Sequence, residues 1–330
     1  MKAIFLLNEP SYPQIYPDPL PDEIGKRVEL IGPVLTAANW RTASPEARQA
    51  EVIFSGWGMA KVDIEFLRFF PRLKTIFYGA GTIRSFSTEA MWDRGIRITT
   101  SARANAESVT EFALAQILLS LKRAWSQALA FREDGVDPVT GFAAGNVGST
   151  VGLISLGVIG QLVAERLQSY QHKVIAYDPF IAPDVAARLN IELVSLEEIF
   201  DRSDVVSCHT PLLDSTREML QRGHFLSMKR GATFINTARG GVVDEEAMCA
   251  VLAERPDLFA LLDVTKADIH PAPDSPLRSL TNVLVTPHIA GCLGPECRRM
   301  GQLMVDELDR YLAGKPLLYE LDRVRAAITA

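Results

Sequence analysis

The chain is poor in cysteine, with four in 330 residues (Cys208, Cys249, Cys292 and Cys297) and no CxxC pair among them. That scarcity argues against a disulfide framework or a zinc site, so no metal is expected and the setting reads as reducing and cytoplasmic. Concentrated positive charge is also missing. The formal net charge is −6 and no dense Lys/Arg block occurs, which leaves no basic surface for nucleic acid. No apolar run approaches the length of a membrane span. The opening MKAIFLLNEP has only a short apolar stretch before Asn8 and Glu9, too short for a signal peptide, and reads as a buried first strand. No short-period repeat is present.

What is present is ordinary globular material, 48% hydrophobic and 22% charged, and long enough for two domains. From Val151 onward the runs VGLIS, KVIAY, DVVSC, ATFIN, FALLDV and NVLVT alternate with helical patterns. Apolar runs separated by helix-length connections predict a parallel sheet covered on both faces. KAIFLL, EVIFSG and LKTIFYG repeat the style in the first half, with a helix expected over 63–70. Between the halves, 106–124 is apolar on nearly every face and is expected to be buried. A last helix, MGQLMVDELDRYLAG, could return to the first domain and make it discontinuous.

VGLISLGVIGQLVAERL runs from a strand into an amphipathic helix, with Gly157 and Gly160 at the second and third positions of GxGxxG. The second glycine lets the backbone approach a pyrophosphate, and the third lets helix and strand pack closely. Ser155 occupies the first position and must make the tight turn with a Cβ. A two-glycine match alone also fits an ordinary strand-to-helix turn. Asp178, at the end of KVIAYD, adds a carboxylate suited to ribose hydroxyls and hostile to a 2′-phosphate, which favours NAD over NADP. Polar residues also follow the later strands: Arg239 in NTARGGVVDEEA, Asp263 and Asp268 in LLDVTKADIHP, and His288 in TPHIAG.

These segments, with YGAGTIRSFS, ANAESVTEFALAQILL, HTPLLDSTR and SPLRSLTNVLVTPHIAG, make the chain resemble the D-isomer-specific 2-hydroxyacid dehydrogenases over nearly its whole length. The resemblance implies an α/β fold of two doubly wound parallel-sheet domains. A Rossmann cofactor domain, 104–291, would be inserted in a flavodoxin-like substrate domain formed by 1–103 and 292–330. It implies an NAD-dependent oxidoreductase acting on a small 2-hydroxy or 2-keto acid, and a homodimer.

By the same resemblance Arg239 grips the substrate carboxylate, to which its planar fork is suited, and His288 is the general acid–base. Asp268 stands where the family has a glutamate pairing with the histidine, one methylene short. The cofactor would be lined by Ser155, Leu156, Gly157, Val158, Ile159, Asp178, Pro179, His209, Pro211, Thr216, Thr237, Ala238, Asp263 and Gly291. His270 is expected on the rim, and His172 and His224 in solvent.

On the substrate side, the Gly79-Ala80-Gly81 turn resembles the loop whose amides receive the substrate carboxylate, and Asn105 belongs to the NAxxVxE element. Trp57 stands where phosphoglycerate-type members carry an arginine, which argues against a phosphorylated substrate unless Arg84 or Arg103 substitutes. The indole suits a flatter, more apolar substituent, and equally suits simple packing. NAD(H)-responsive corepressors share the resemblance and remain the alternative to an enzyme. A formate dehydrogenase would call for Gln at Asp268.

Overall fold

The computed structural model describes residues 1–134, 144–267 and 271–328. The chain divides into two compact units, Met1–Asn105 with Cys292–Ala330, and Ala106–Gly291. The first unit opens with β1 (Lys2–Leu6), β2 (Glu29–Leu30), β3 (Val52–Ser55), β4 (Thr75–Tyr78) and β5 (Arg97–Thr100). These strands are all parallel, in the order β2-β1-β3-β4-β5. That is the flavodoxin-like arrangement.

The second unit holds β6 (Thr150–Ile154), β7 (Lys173–Tyr177), β8 (Glu192–Leu193), β9 (Val205–Cys208), β10 (Thr233–Asn236), β11 (Phe259–Leu262) and β12 (Val283–Val285). They form one parallel sheet in the order β8-β7-β6-β9-β10-β11-β12, the Rossmann order extended by one strand. The chain then returns to the first unit, where β13 (Glu320–Leu321) pairs antiparallel with β5.

Strand alternation shows why both sheets are covered twice. Ile154, Val206, Phe234 and Leu262 join one buried cluster, while their neighbours Leu153, Val205, Ile235 and Leu261 join another. Successive side chains on a strand face opposite ways, so a continuous apolar run buries both faces. The first unit does the same, with Ile4, Ile53 and Ile76 on one side and Phe5, Phe54 and Phe77 on the other. The second of those clusters is completed by Cys297, Met300, Met304 and Leu308 from the helix Cys297–Leu312.

Two expectations shift. The helix expected over 63–70 spans Ile64–Phe69, because the Asp63 side chain accepts the Phe66 amide and caps its start. The long helix begins earlier, at Ala102, and ends at Leu121. It is not buried all round. Ala106, Val109, Ala113, Ile117 and Leu121 are buried at helical spacing, whereas Phe112, Leu114 and Leu118 are half-buried and Leu119 is exposed.

Candidate active site

Register across the second sheet lines up one terminal row: Tyr177, Ile154, Cys208, Asn236, Leu262 and Val285 are successive partners. The residue directly after each is Asp178, Ser155, His209, Thr237, Asp263 and Thr286. Six polar side chains therefore leave the sheet at the carboxyl ends of parallel strands, where open α/β sheets bind ligands. The central strand β6 has β7 on one side and β9 on the other, which makes it the point where strand order reverses.

At β6 the chain bends sharply. Ser155 has φ +73°, so the turn is made with a Cβ. Gly157 caps the helix Val158–Leu167, and a Cβ built on it meets nothing within 4 Å. A Cβ on Gly160 would instead run into the Ser155 carbonyl, so only glycine lets helix and turn pack this closely. Leu156 is buried, while Val158 is exposed and Ile159 half-buried. The Asp178 carboxylate accepts amides from Leu156 (2.7 Å), Phe180 (2.8 Å) and Ile181 (3.1 Å). It thus shapes the glycine turn as well as its own, and Pro179 beside it is exposed.

Arg239 and His288 each lie three residues beyond the same row, on strands separated by one. The Asn236 side chain brackets the arginine turn, accepting the Ala238 amide (3.0 Å) and donating to the Arg239 carbonyl (3.1 Å). A Cβ on Gly240 would collide with the Thr265 carbonyl, so glycine allows this turn to lie against the next loop. Asp263 is 2% exposed, and its carboxylate accepts Thr286 Oγ1 (2.5 Å) and the amides of Ile289 and Ala290 (both 2.8 Å). This carboxylate clamps the histidine loop. His288 itself is exposed, donates its amide to the Asp263 carbonyl (3.0 Å) and has φ +55°. Gly291 follows the loop, half-buried. Asp268 and His270 lie outside the described residues.

His209 is 8% exposed, with Nε2 3.1 Å from the Ser207 hydroxyl and Nδ1 without a partner in the structure. Burial pushes its pKa down to about 4, so the ring stays neutral near pH 7. Thr237, 7% exposed, has an Oγ1 that is equally unpartnered. The Thr216 hydroxyl ties back to the Pro211 carbonyl (2.6 Å) and closes the loop between them. The two histidines expected in solvent are instead packed. His172 stacks on Tyr170 and meets the Ser149 hydroxyl, whereas His224 accepts the Gln221 amide and lies against Phe200.

Within the first unit, Trp57 is half-buried against both core clusters, and its carbonyl accepts the Asn8 amide. Gly79 and Ala80 donate their amides to the Ser55 and Tyr78 carbonyls (2.8 Å each), and Ala80 is buried. Gly81 is half-buried with open space at its Cβ position. Asn105 Oδ1 accepts the Cys292 amide (2.9 Å), joining the two chain segments of this unit.

The model of the D-isomer specific 2-hydroxyacid dehydrogenase NAD binding domain matches residues 115–290. The chain belongs to this family. Among family relatives, the D-3-phosphoglycerate dehydrogenase of Mycobacterium leprae is 34% identical over 255 residues, covering 77% of this chain and 48% of that protein. The hydroxypyruvate reductase of Thermotoga maritima is 32% identical, covering 76% and 82%. The chain spans about half the length of the phosphoglycerate dehydrogenases it matches. Apo D-mandelate dehydrogenase from Rhodotorula graminis superposes with a TM-score of 0.80 at 27% identity, covering 98% of each chain.

An NAD-binding domain fits the residues present. Open space at Gly157, amides at a helix start, the Asp178 carboxylate, and two unpartnered buried atoms on His209 and Thr237 all lie along one sheet edge. Among the described residues no cluster of His, Cys, Asp or Glu could hold a metal, and no helix is long and apolar enough to cross a membrane.

Proposed function

We propose that the protein transfers a hydride between NAD(H) and a small 2-hydroxy or 2-keto acid, with 104–291 as the cofactor domain and 1–103 with 292–330 as the substrate domain. The terminal row carries this reading, because Arg239 and His288 leave the sheet in step, beyond the carboxyl ends of β10 and β12. The nicotinamide, when bound, supplies or takes up the hydride. Arg239 binds the substrate carboxylate through its guanidinium fork and polarises the neighbouring carbonyl. The His288 imidazole takes the hydroxyl proton on oxidation and returns it on reduction. Asp268 is its acidic partner. Asp263 and Asn236 act through their neighbours, setting the histidine and arginine loops.

Cofactor contacts come from Ser155 to Ile159, Asp178, Pro179, His209, Pro211, Thr216, Thr237, Ala238, Asp263 and Gly291. On the substrate side, Gly81 and Ala80 line the carboxylate end, Asn105 is a further contact, and Trp57 selects an unphosphorylated acid with a flat or apolar substituent.

Two further properties belong to this reading. The helix Ala124–Asp134 buries no residue among 124–132 and leaves Phe131 62% exposed, which supports a homodimer formed by this unit. None of the four cysteines is in a disulfide and all are buried, which suits a cytoplasmic location.

The test is NADH oxidation with a panel of unphosphorylated and phosphorylated 2-keto acids. Turnover on an unphosphorylated acid is expected. Tight NADH binding with no turnover on any acid would replace the enzyme by an NAD(H)-responsive interaction protein.

A further inference from the structure

Ser155 carries a left-handed bend that residues with a Cβ disfavour, and nothing about serine makes it a natural substitute for glycine there. The bend places the Ser155 carbonyl in the space where a Gly160 Cβ would lie, so the turn packs directly against the helix. It is held on three sides. The Ser155 amide donates to the Tyr177 carbonyl (2.8 Å), and the next amide, Leu156, donates to Asp178 Oδ2 (2.7 Å). The third tie is a side chain. Ser155 Oγ lies 3.0 Å from Thr210 Oγ1, 55 residues away and immediately after His209. Thr210 is 2% exposed and its Oγ1 also reaches the Ile154 carbonyl (3.4 Å), so the hydroxyl has a fixed place against β6.

We propose that Ser155 and Thr210 form a latch that sets the pyrophosphate turn, with Thr210 as a positioning residue for the dinucleotide. This rests on the NAD reading above. A glycine turn reaches the required bend because it has no Cβ. Here a hydroxyl pair holds the same bend, and in doing so ties the turn to the loop after β9. A chain with Ala at 155 would keep the unfavourable Cβ and lose the tie.

The experiment measures binding of NADH, ADP-ribose and adenosine to the full chain, with melting temperature as a check on folding. Ser155→Ala and Thr210→Val should each weaken NADH and ADP-ribose roughly 3- to 10-fold, the effect of one neutral hydrogen bond. Adenosine, which has no pyrophosphate, should bind as before, and kcat of Thr210→Val at saturating NADH should hold. The double variant should be no weaker than either single one, because either change opens the same latch. Ser155→Gly should bind NADH within about 2-fold of the native chain, since glycine needs no latch. Unchanged NADH affinity in Ser155→Ala, or multiplicative losses in the double variant, would overturn the latch alone. A native chain that binds neither NADH nor ADP-ribose would overturn the cofactor reading and the latch with it.

Discussion

In the second sheet the positions after the terminal row are Asp178, Ser155, His209, Thr237, Asp263 and Thr286, and every one is polar. In the first sheet the matching row is Leu6, Ser55, Tyr78 and Thr100, followed by Leu7, Gly56, Gly79 and Ser101. There the strand ends are closed by packing. A Cβ on Gly79 would lie 2.7 Å from Ile15 Cγ2 and 3.0 Å from the Tyr16 hydroxyl, and Ile15 and Tyr16 are both fully buried. Two doubly wound sheets have thus diverged at equivalent edges. One presents polar side chains, and the other brings backbone and buried side chains close.

Changes at the first kind of edge should alter chemistry or binding, and changes at the second should alter stability. His288→Ala should cut turnover by about 10²- to 10⁴-fold with NADH affinity retained, read by steady-state kinetics and fluorescence titration. Loss of NADH binding instead would mean that the histidine loop is structural. Asp178→Ala should weaken NADH about 10- to 100-fold and narrow the NADH over NADPH preference, because it removes a carboxylate acceptor and frees the Leu156 amide. An unchanged preference would detach Asp178 from ribose recognition.

At the other edge, Gly79→Ala should cost about 1–3 kcal/mol in denaturant melts, as overpacking does. Gly81→Ala, with open space around its Cβ, should stay within about 0.5 kcal/mol. Equal losses at both glycines would erase the distinction.

A separate effect concerns pH. His209 titrates at about 4 in the folded chain because burial disfavours its charged form, against 6.5 when free. As pH falls below 6.5 the unfolded chain takes up a proton that the native chain refuses, so stability is lost between pH 6.5 and 4 and levels off below. From pH 6.5 to 5.5 the native chain should lose about 1 kcal/mol more than His209→Gln. Parallel pH profiles for the two would assign the proton uptake elsewhere.

Much of this contrast is legible in the amino-acid order. β1, β3, β4, β6, β7 and β9–β12 stand out because strands buried on both faces are written as unbroken apolar runs. The two-residue strands β2, β8 and β13 leave no such run, and in β5, RITT, two threonines break it. The long helix gave a misleading signal, since composition reports how much apolar surface exists and not which stripe is covered. At the site, the turns after each strand were readable in order. The hydroxyl ties of Thr210 and Thr286 and the left-handed backbone of His288 were not, because they depend on pairings between strands far apart in the chain.

The interruption of the first unit by 106–291 bears on how the protein is made. Phe5, Phe54 and Phe77 emerge from the ribosome before the intervening unit, but Met300, Met304 and Leu308, which share their cluster, emerge only after it. At about 5–20 residues per second, that sheet face waits roughly 10–40 s for its covering helix. The second unit has all of its strands by then. The nascent chain therefore carries one unit with its strands complete and one whose sheet still has an open apolar side.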